Sequence, residues 1–114
     1  SQFYGAMIES LVFIEICKHA AWSTEEVTLY HFRNKQRYEV DIVLERDNAN
    51  IIGIEIKAAA SVNAADFKGL TKLAEYAGKN LECGVLFYAG ADILPFRLAG
   101  TTFYAIPISL VLCA

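Results

Sequence analysis

The sequence predicts an α/β domain: a three-layer sandwich in which helices flank a central mixed β-sheet. Three observations lead there. A helical pattern of apolar residues runs from Phe3 to about Ala20. Three short apolar runs follow, separated only by polar turns. A second helical stripe then precedes a further apolar run. The order αβββαβ, with one more strand after it, combines hairpins with a helical crossover, so the sheet must be mixed and helix-covered. At 114 residues with 55% hydrophobic content, the chain suits a single domain, residues 1–114, with a real core.

In the first helix Gly5, Ala6, Glu9, Val12, Phe13 and Ile16 recur at i, i+3, i+4, i+7 spacing and share a face. The run Trp22-Ser23-Thr24-Glu25-Glu26 breaks that pattern. Thr28–Phe32 reads as a strand, Asn34–Arg37 as a polar turn and Tyr38–Glu45 as a second strand. Asp47–Asn50 is another turn, and Ile51–Lys57 is the third strand of an antiparallel meander. Asn63 with Asp66 three residues on resembles a helix N-cap, and Phe67, Leu70, Leu73, Ala74 and Ala77 form the stripe that follows. Gly78 ends that helix. Its apolar side is expected to be buried, with Lys68, Lys72 and Lys79 exposed. Cys83–Tyr88, apolar throughout, reads as a central strand, and Phe103–Ile106 as a fifth. Ile108–Leu112 is apolar and compatible with either strand or helix.

Composition excludes several classes. A net charge of −3 gives no global basic field for nucleic acid, although a local basic groove is compatible with it. Mean hydropathy of +0.34 is high; it fits a deeply buried sheet or a surface that packs on something else, including another copy. No apolar run approaches a membrane span, since Leu11–Cys17 is interrupted by Glu15. Cys17, Cys83 and Cys113 have neither zinc spacing nor an even count, which fits buried thiols in a reducing cytoplasm. His19 and His31 fall in different elements and read as structural or surface residues. No P-loop, Ser-His-Asp spacing or dinucleotide fingerprint occurs. The chain begins Ser1-Gln2 and its only methionine is Met7, which reads as a piece of a longer protein.

The chemistry concentrates on two strands. Alternation sends Ile52, Ile54 and Ile56 to one face of the third strand and Glu55 and Lys57, with Gly53, to the other. In the second strand it groups Val40, Ile42 and Leu44, and places Asp41 opposite them with Glu39 and Val43. An Asp, a Glu and a Lys can thus share one side of the sheet. Charges among apolar strand residues are costly unless paired, solvated or metal-bound. Asp41, Glu55 and the Ile56 carbonyl are a suitable oxygen set for Mg²⁺ or Mn²⁺. Lys57, roughly 7 Å along the strand from Glu55, is placed to orient a water and offset charge growing on phosphorus. The plain alternative is a sheet face with an ordinary Glu–Lys pair.

Ile8–Val12 in the first helix, Tyr38–Glu45 (Tyr-Glu-Val-Asp-Ile-Val-Leu-Glu) and Ile52–Ser61 (Ile-Gly-Ile-Glu-Ile-Lys-Ala-Ala-Ala-Ser) resemble successive motifs of the PD-(D/E)XK nuclease superfamily. More closely, with Asp66–Leu70 and Pro107–Ser109, they look like the C-terminal domain of a group of prokaryotic AAA-type ATPases. The resemblance covers nearly the whole chain. It implies a restriction-endonuclease-like fold, Asp41 and Glu55 as metal ligands and Lys57 as catalytic lysine. It also implies a P-loop ATPase domain in the same parent chain. Val40 stands where the superfamily often has proline. The fold does not by itself establish cleavage.

A helix carboxylate completes such a site, and two are available. Glu9 lies on the small and apolar face, whereas Glu15 has Lys18 and His19 at i+3 and i+4, as an exposed network would. Glu9 is the better fit, and Glu15 remains open. For nucleic acid, with DNA as the expected form, the candidate contacts are Lys68 and Lys72, one turn apart, and Arg33, Lys35 and Arg37 in the first hairpin turn. Tyr30, Phe32 and Tyr38 stand near that turn as rings for stacking or for filling the sheet face. Two functions therefore compete: a metal-dependent nuclease, and a non-catalytic module that binds nucleic acid or protein for an attached ATPase.

Overall fold

The computed structural model describes residues 2–21, 26–46 and 49–112. A long helix, α1 (Gln2–Ala21), leads into three strands, β1 (Val27–Arg33), β2 (Glu39–Arg46) and β3 (Ile51–Lys57). A 3₁₀ turn (Ala64–Phe67) opens α2 (Lys68–Ala77). Then come β4 (Leu81–Tyr88), β5 (Leu94–Leu98), β6 (Thr101–Pro107) and a short α3 (Ser109–Leu112). The six strands form one sheet in the order β1-β2-β3-β4-β6-β5. The meander β1-β2-β3 is antiparallel, β3-β4-β6 is parallel, and β5 closes the edge antiparallel to β6. The sheet is mixed because the α2 crossover returns the chain parallel to β3.

Each face of the sheet carries its own core, which makes three layers. On one face α1 contributes Val12 and Ile16, which meet Ile42, Ile54, Ile56 and Ile108. On the other, Phe67, Leu70 and Leu73 of the α2 segment meet Val40, Val43, Leu86 and Phe103. Asn63 caps the α2 segment as expected: its side chain accepts from Ala65 N–H, and Asp66 accepts from Asn63 N–H. Two glycines set the closeness of α2. A Cβ at Gly53 would lie 2.6 Å from Leu73 Cδ2, and one at Gly69 would clash with the Glu39 carbonyl oxygen. At Gly69 the neighbour is backbone and only hydrogen fits, whereas at Gly53 the packed leucine side chains would have to shift.

Four expectations need correction. The inward stripe of α1 is Gly5, Ile8, Val12 and Ile16, not the set with Ala6, Glu9 and Phe13, which are exposed. That set leans one step around the helix because it counted small and aromatic residues as core. Lys72 is only half exposed, lying beside the Tyr38 ring, while Lys68 and Lys79 are exposed. The strand β5 carries Pro95 and has little apolar alternation, so it gave no strand signal; it sits on the sheet edge, where a proline costs no ladder bond. Ser109–Leu112 is helical. Of the turn residues, Asp47 and Asn48 lie outside the described residues, as do Trp22 to Glu25 and Cys113.

The fourth correction bears on the site. Val40 does not share a face with Ile42 and Leu44: it packs with Val43 in the α2 core, while Ile42 and Leu44 pack on the α1 side. The cause is a β-bulge. Tyr30 pairs with Val43 and Phe32 with Val40, so β2 holds one residue more than β1 over this stretch. The extra residue breaks the two-residue alternation and re-aims the side chains beside it.

Candidate functional site

The bulge turns Asp41 toward α1. Its carboxylate lines a cavity of about 580 Å³ walled by Ala6, Glu9, Ser10, Phe13 and Ile14 of α1 and by Ile56 of β3. Glu55, between Ile54 and Ile56, is paired across β4 with Leu86, which belongs to the α2 core. The sequence expectation of Asp41, Glu55 and Lys57 on one face is thus overturned for Asp41, which faces the α1 side, whereas Glu55 and Lys57 keep the alternation of β3.

The carboxylates nonetheless meet at the junction of the two strands. The β2–β3 register runs from the Glu45–Ile51 pair to the Ile42–Ile54 pair and ends there. Beyond it side chains take over the bonding. Asp41 N–H donates to Glu55 Oε1 at 2.7 Å, and Ile56 N–H donates to Asp41 Oδ2 at 2.9 Å. This reciprocal pair satisfies the two amides freed where the ladder stops. Each carboxylate keeps its other oxygen, with further lone pairs.

The electrostatics follow from burial and crowding. Glu55 is pushed up to about 8, first by burial and then by the Asp41 charge; Glu39 and Glu9 add to it, and the bond from Asp41 N–H opposes it. Asp41 is raised by burial, against the lowering effects of the Ile56 N–H and of His31. Glu9 is raised by burial and by Asp41, which places it within electrostatic reach across the cavity. Glu15 instead holds Lys18 at 3.4 Å. Three acids from three elements are therefore electrostatically coupled: Glu9 and Asp41 line the cavity, Glu55 joins them through the strand junction, and among the described residues none of the candidate cations lines it.

Lys57 is engaged elsewhere. Its Nζ donates to Asp66 Oδ2 at 2.8 Å, the oxygen that also accepts Asn63 N–H in the helix cap. Burial pushes Asp66 up, but the Lys57 and Asn63 bonds and the Lys57 charge outweigh it and leave the carboxyl lowered. The hairpin cations point outward: Arg33 Nε lies 3.5 Å from Glu39, and Arg37 is exposed in the turn with φ of 66°. Lys72 reaches a separate cavity beside that hairpin, and Lys68 is exposed on α2.

Sequence reading missed two participants. His31 sits opposite the bulge, with Nδ1 3.4 Å from the Asp41 carbonyl oxygen and Nε2 3.9 Å from Glu39. Only the register of β1 against the bulged β2 brings it there. Asp66 was legible as a cap, but its hold on Lys57 needed the fold.

Among the described residues, no group of three or more His, Cys, Asp and Glu side chains is gathered in a form that could hold a metal ion. The pair Asp41 and Glu55 fits a different requirement. Mg²⁺ keeps several waters and is often held by one or two carboxylates. Two half-buried, mutually repelling carboxylates with spare oxygens are the donor chemistry such an ion neutralises. No helix among the described residues is long and apolar enough to cross a membrane.

No curated protein and no solved structure matches the chain. A family model described as a domain of unknown function, DUF4143, matches residues 4–111, so the chain belongs to the DUF4143 family.

Proposed function

We propose that this DUF4143 domain is a nuclease-type domain of the PD-(D/E)XK kind, which binds Mg²⁺ or Mn²⁺ and hydrolyses phosphodiester bonds in nucleic acid, DNA being the expected form. The observation that carries the reading is the reciprocal Asp41–Glu55 arrangement. Two carboxylates are held at a strand junction with Glu55 pushed up to about 8, and a third acid, Glu9, is close by. A purely structural pair of strands gains nothing from such repulsion, and apolar residues there would be less costly. Association with an ATPase in one parent chain is part of the proposal, since domains of this family are commonly found with AAA-type ATPases. A cytoplasmic setting is part of the same proposal.

Asp41 and Glu55 would hold the ion, with the Ile56 carbonyl as a further oxygen and Glu9 acting through water. The ion would supply Lewis acidity toward a phosphoryl oxygen and a more acidic water. Glu9 faces the cavity on the α1 side, where it would accept a proton from an attacking water and orient it. Lys57 would leave Asp66 for a phosphate when substrate enters, bringing its ammonium to charge that grows during the reaction. Asp66 meanwhile keeps the Asn63 N–H, so the α2 cap survives that exchange.

One observation favours a second reading. Lys57 is already committed to Asp66, and Met7, Leu11, Phe13 and Ile14 expose apolar surface on α1, with Phe13 and Ile14 lining the same cavity. A non-catalytic module that docks a protein, or a second copy, over α1 would use those features as they stand.

The deciding experiment is cleavage of linear, branched and single-stranded DNA with Mn²⁺, with EDTA as control, by the wild type and Asp41→Asn. Metal-dependent cleavage that is lost in Asp41→Asn supports the nuclease reading. Absence of cleavage of every DNA form leaves the binding module.

A further inference from the structure

The β1–β2 hairpin and α2 enclose a second cavity, of about 560 Å³, on the opposite helix layer from Glu9. Its walls are the aromatic residues Phe32, Tyr38 and Tyr76, the amide residues Asn34 and Gln36, and the ion-paired Lys72 and Glu75. We propose that this notch is a nucleobase subsite for single-stranded nucleic acid, with Tyr76 as the stacking platform. The inference rests on the reading that the domain's ligand is nucleic acid, but not on cleavage.

Three features specify the ligand. Tyr76 is 83% exposed although it lines the cavity. Phe32 packs against it at a tilt, with ring centroids 6.1 Å apart and planes inclined by 49°, so the two rings do not stack face to face. An exposed ring braced in this way offers its face to another flat, apolar surface. The polar wall suits the edge of a base. Asn34 Oδ1 accepts Tyr38 N–H at 2.9 Å, which fixes the amide at the hairpin, and Gln36 is exposed with a donor and an acceptor. Finally, cations concentrate on the two elements that form the notch. Arg33, Lys35, Arg37, Lys68, Lys72 and Lys79, six of the ten Lys and Arg residues, lie on the hairpin and the α2 segment, with Lys72 in the notch itself and Glu39 and Glu75 pairing Arg33 and Lys72. Lys72 lies 5.3 Å above the Tyr38 ring and 3.5 Å from Glu75, both of which line the notch with it. A ring for the base flanked by cations for the phosphates is the combination that single strands use, and it is indifferent to sequence because every base has a face to stack. A duplex, with its bases already stacked, would meet only the cations.

The test is fluorescence anisotropy with a short labelled oligothymidylate in EDTA, so that no strand is cut. An abasic strand of equal length and charge and a polyglutamate peptide serve as competitors. Tyr76→Ala should weaken oligothymidylate binding roughly 5- to 150-fold, the scale of losing one stacked base. Tyr76→Trp should restore it, and the abasic strand should bind equally to wild type and Tyr76→Ala. Lys72→Ala should lower the salt dependence by about one unit. Equal loss of both strands in Tyr76→Ala, polyglutamate competing as well as the oligonucleotide, or no binding by wild type would each overturn the subsite. Binding by a wild type that cuts nothing would uphold this inference while sinking catalysis. Cleavage by a protein indifferent to Tyr76→Ala would do the reverse.

Discussion

Replacing Glu55 with glutamine isolates the electrostatic cost built into the strand junction. Glutamine keeps the shape and leaves an oxygen to accept Asp41 N–H, but it never ionises. Glu55 in the folded protein titrates near 8, against an ordinary value of 4.5. Between those values the folded state holds a proton that the unfolded state has released, so stability falls as pH rises through the interval. The contribution is intact below the unfolded value and is lost as the folded carboxyl ionises. At about 1.4 kcal/mol for each tenfold change in proton affinity, the interval sets an upper limit of about 5 kcal/mol. Asp41 shares the load, because neutralising Glu55 relieves Asp41 as well. Urea unfolding at steps between about pH 5 and 8 should therefore show a falling wild-type curve and a flatter one for Glu55→Gln. The two should converge near the acid end, and the variant should be the more stable at the alkaline end. Adding Mn²⁺ near pH 8 should restore stability to the wild type and not to the variant, since a ligand of the folded state stabilises it by mass action. Parallel curves across the whole range would refute the reasoning.

Other consequences are independent of that titration. Leu70 is fully buried beneath β3 and β4, so Leu70→Ala should cost roughly 2–5 kcal/mol, and a loss below about 1 kcal/mol by urea titration would assign α2 the wrong face. Gly69→Ala puts a methyl against the Glu39 carbonyl and should destabilise by about 1–3 kcal/mol or more; a neutral result would mean that α2 does not approach β2 as described. If the domain cleaves, Lys57→Ala should lower turnover by roughly 10²–10³-fold with metal affinity unchanged, and steady-state kinetics beside calorimetry would separate those effects. Asp66→Asn, which loosens the hold on Lys57 while keeping a polar cap, should raise rather than lower that turnover; a fall would make Asp66 a support for Lys57 instead of a competitor.

The architecture was legible because its signals were periodic. The αβββαβ order, the stripe Phe67, Leu70 and Leu73, and the Asn63–Asp66 cap all rest on local chemistry that the chain repeats or pairs over a few residues. What escaped depends on distant residues. The bulge in β2 arises from pairing with β1, and no local rule marks Asp41 as the place where alternation fails. The choice of Glu9 rested on an assumed face of α1 that includes Phe13, whereas the structure buries Ile8, Val12 and Ile16 together. Glu9 still reaches the Asp41 cavity, from the margin of the helix rather than from its buried stripe. Lys57 shows the limit most directly. Its spacing from Glu55 suggested one cluster, but Asp66 arrives from the α2 cap and takes its ammonium first. β5 was silent because an edge strand needs neither alternation nor a full set of donors.

The central claim is that Asp41 and Glu55 form a cation site. Isothermal calorimetry of Mn²⁺ against the wild type and the double variant Asp41→Asn/Glu55→Gln at about pH 8 tests it directly, with circular dichroism confirming that both are folded. One ion should bind the wild type with release of protons, because Glu55 is still partly protonated there, and no binding should remain in the double variant. Equal Mn²⁺ binding by both proteins, or none by the wild type, would contradict the claim and leave the two carboxylates as a purely structural strand lock.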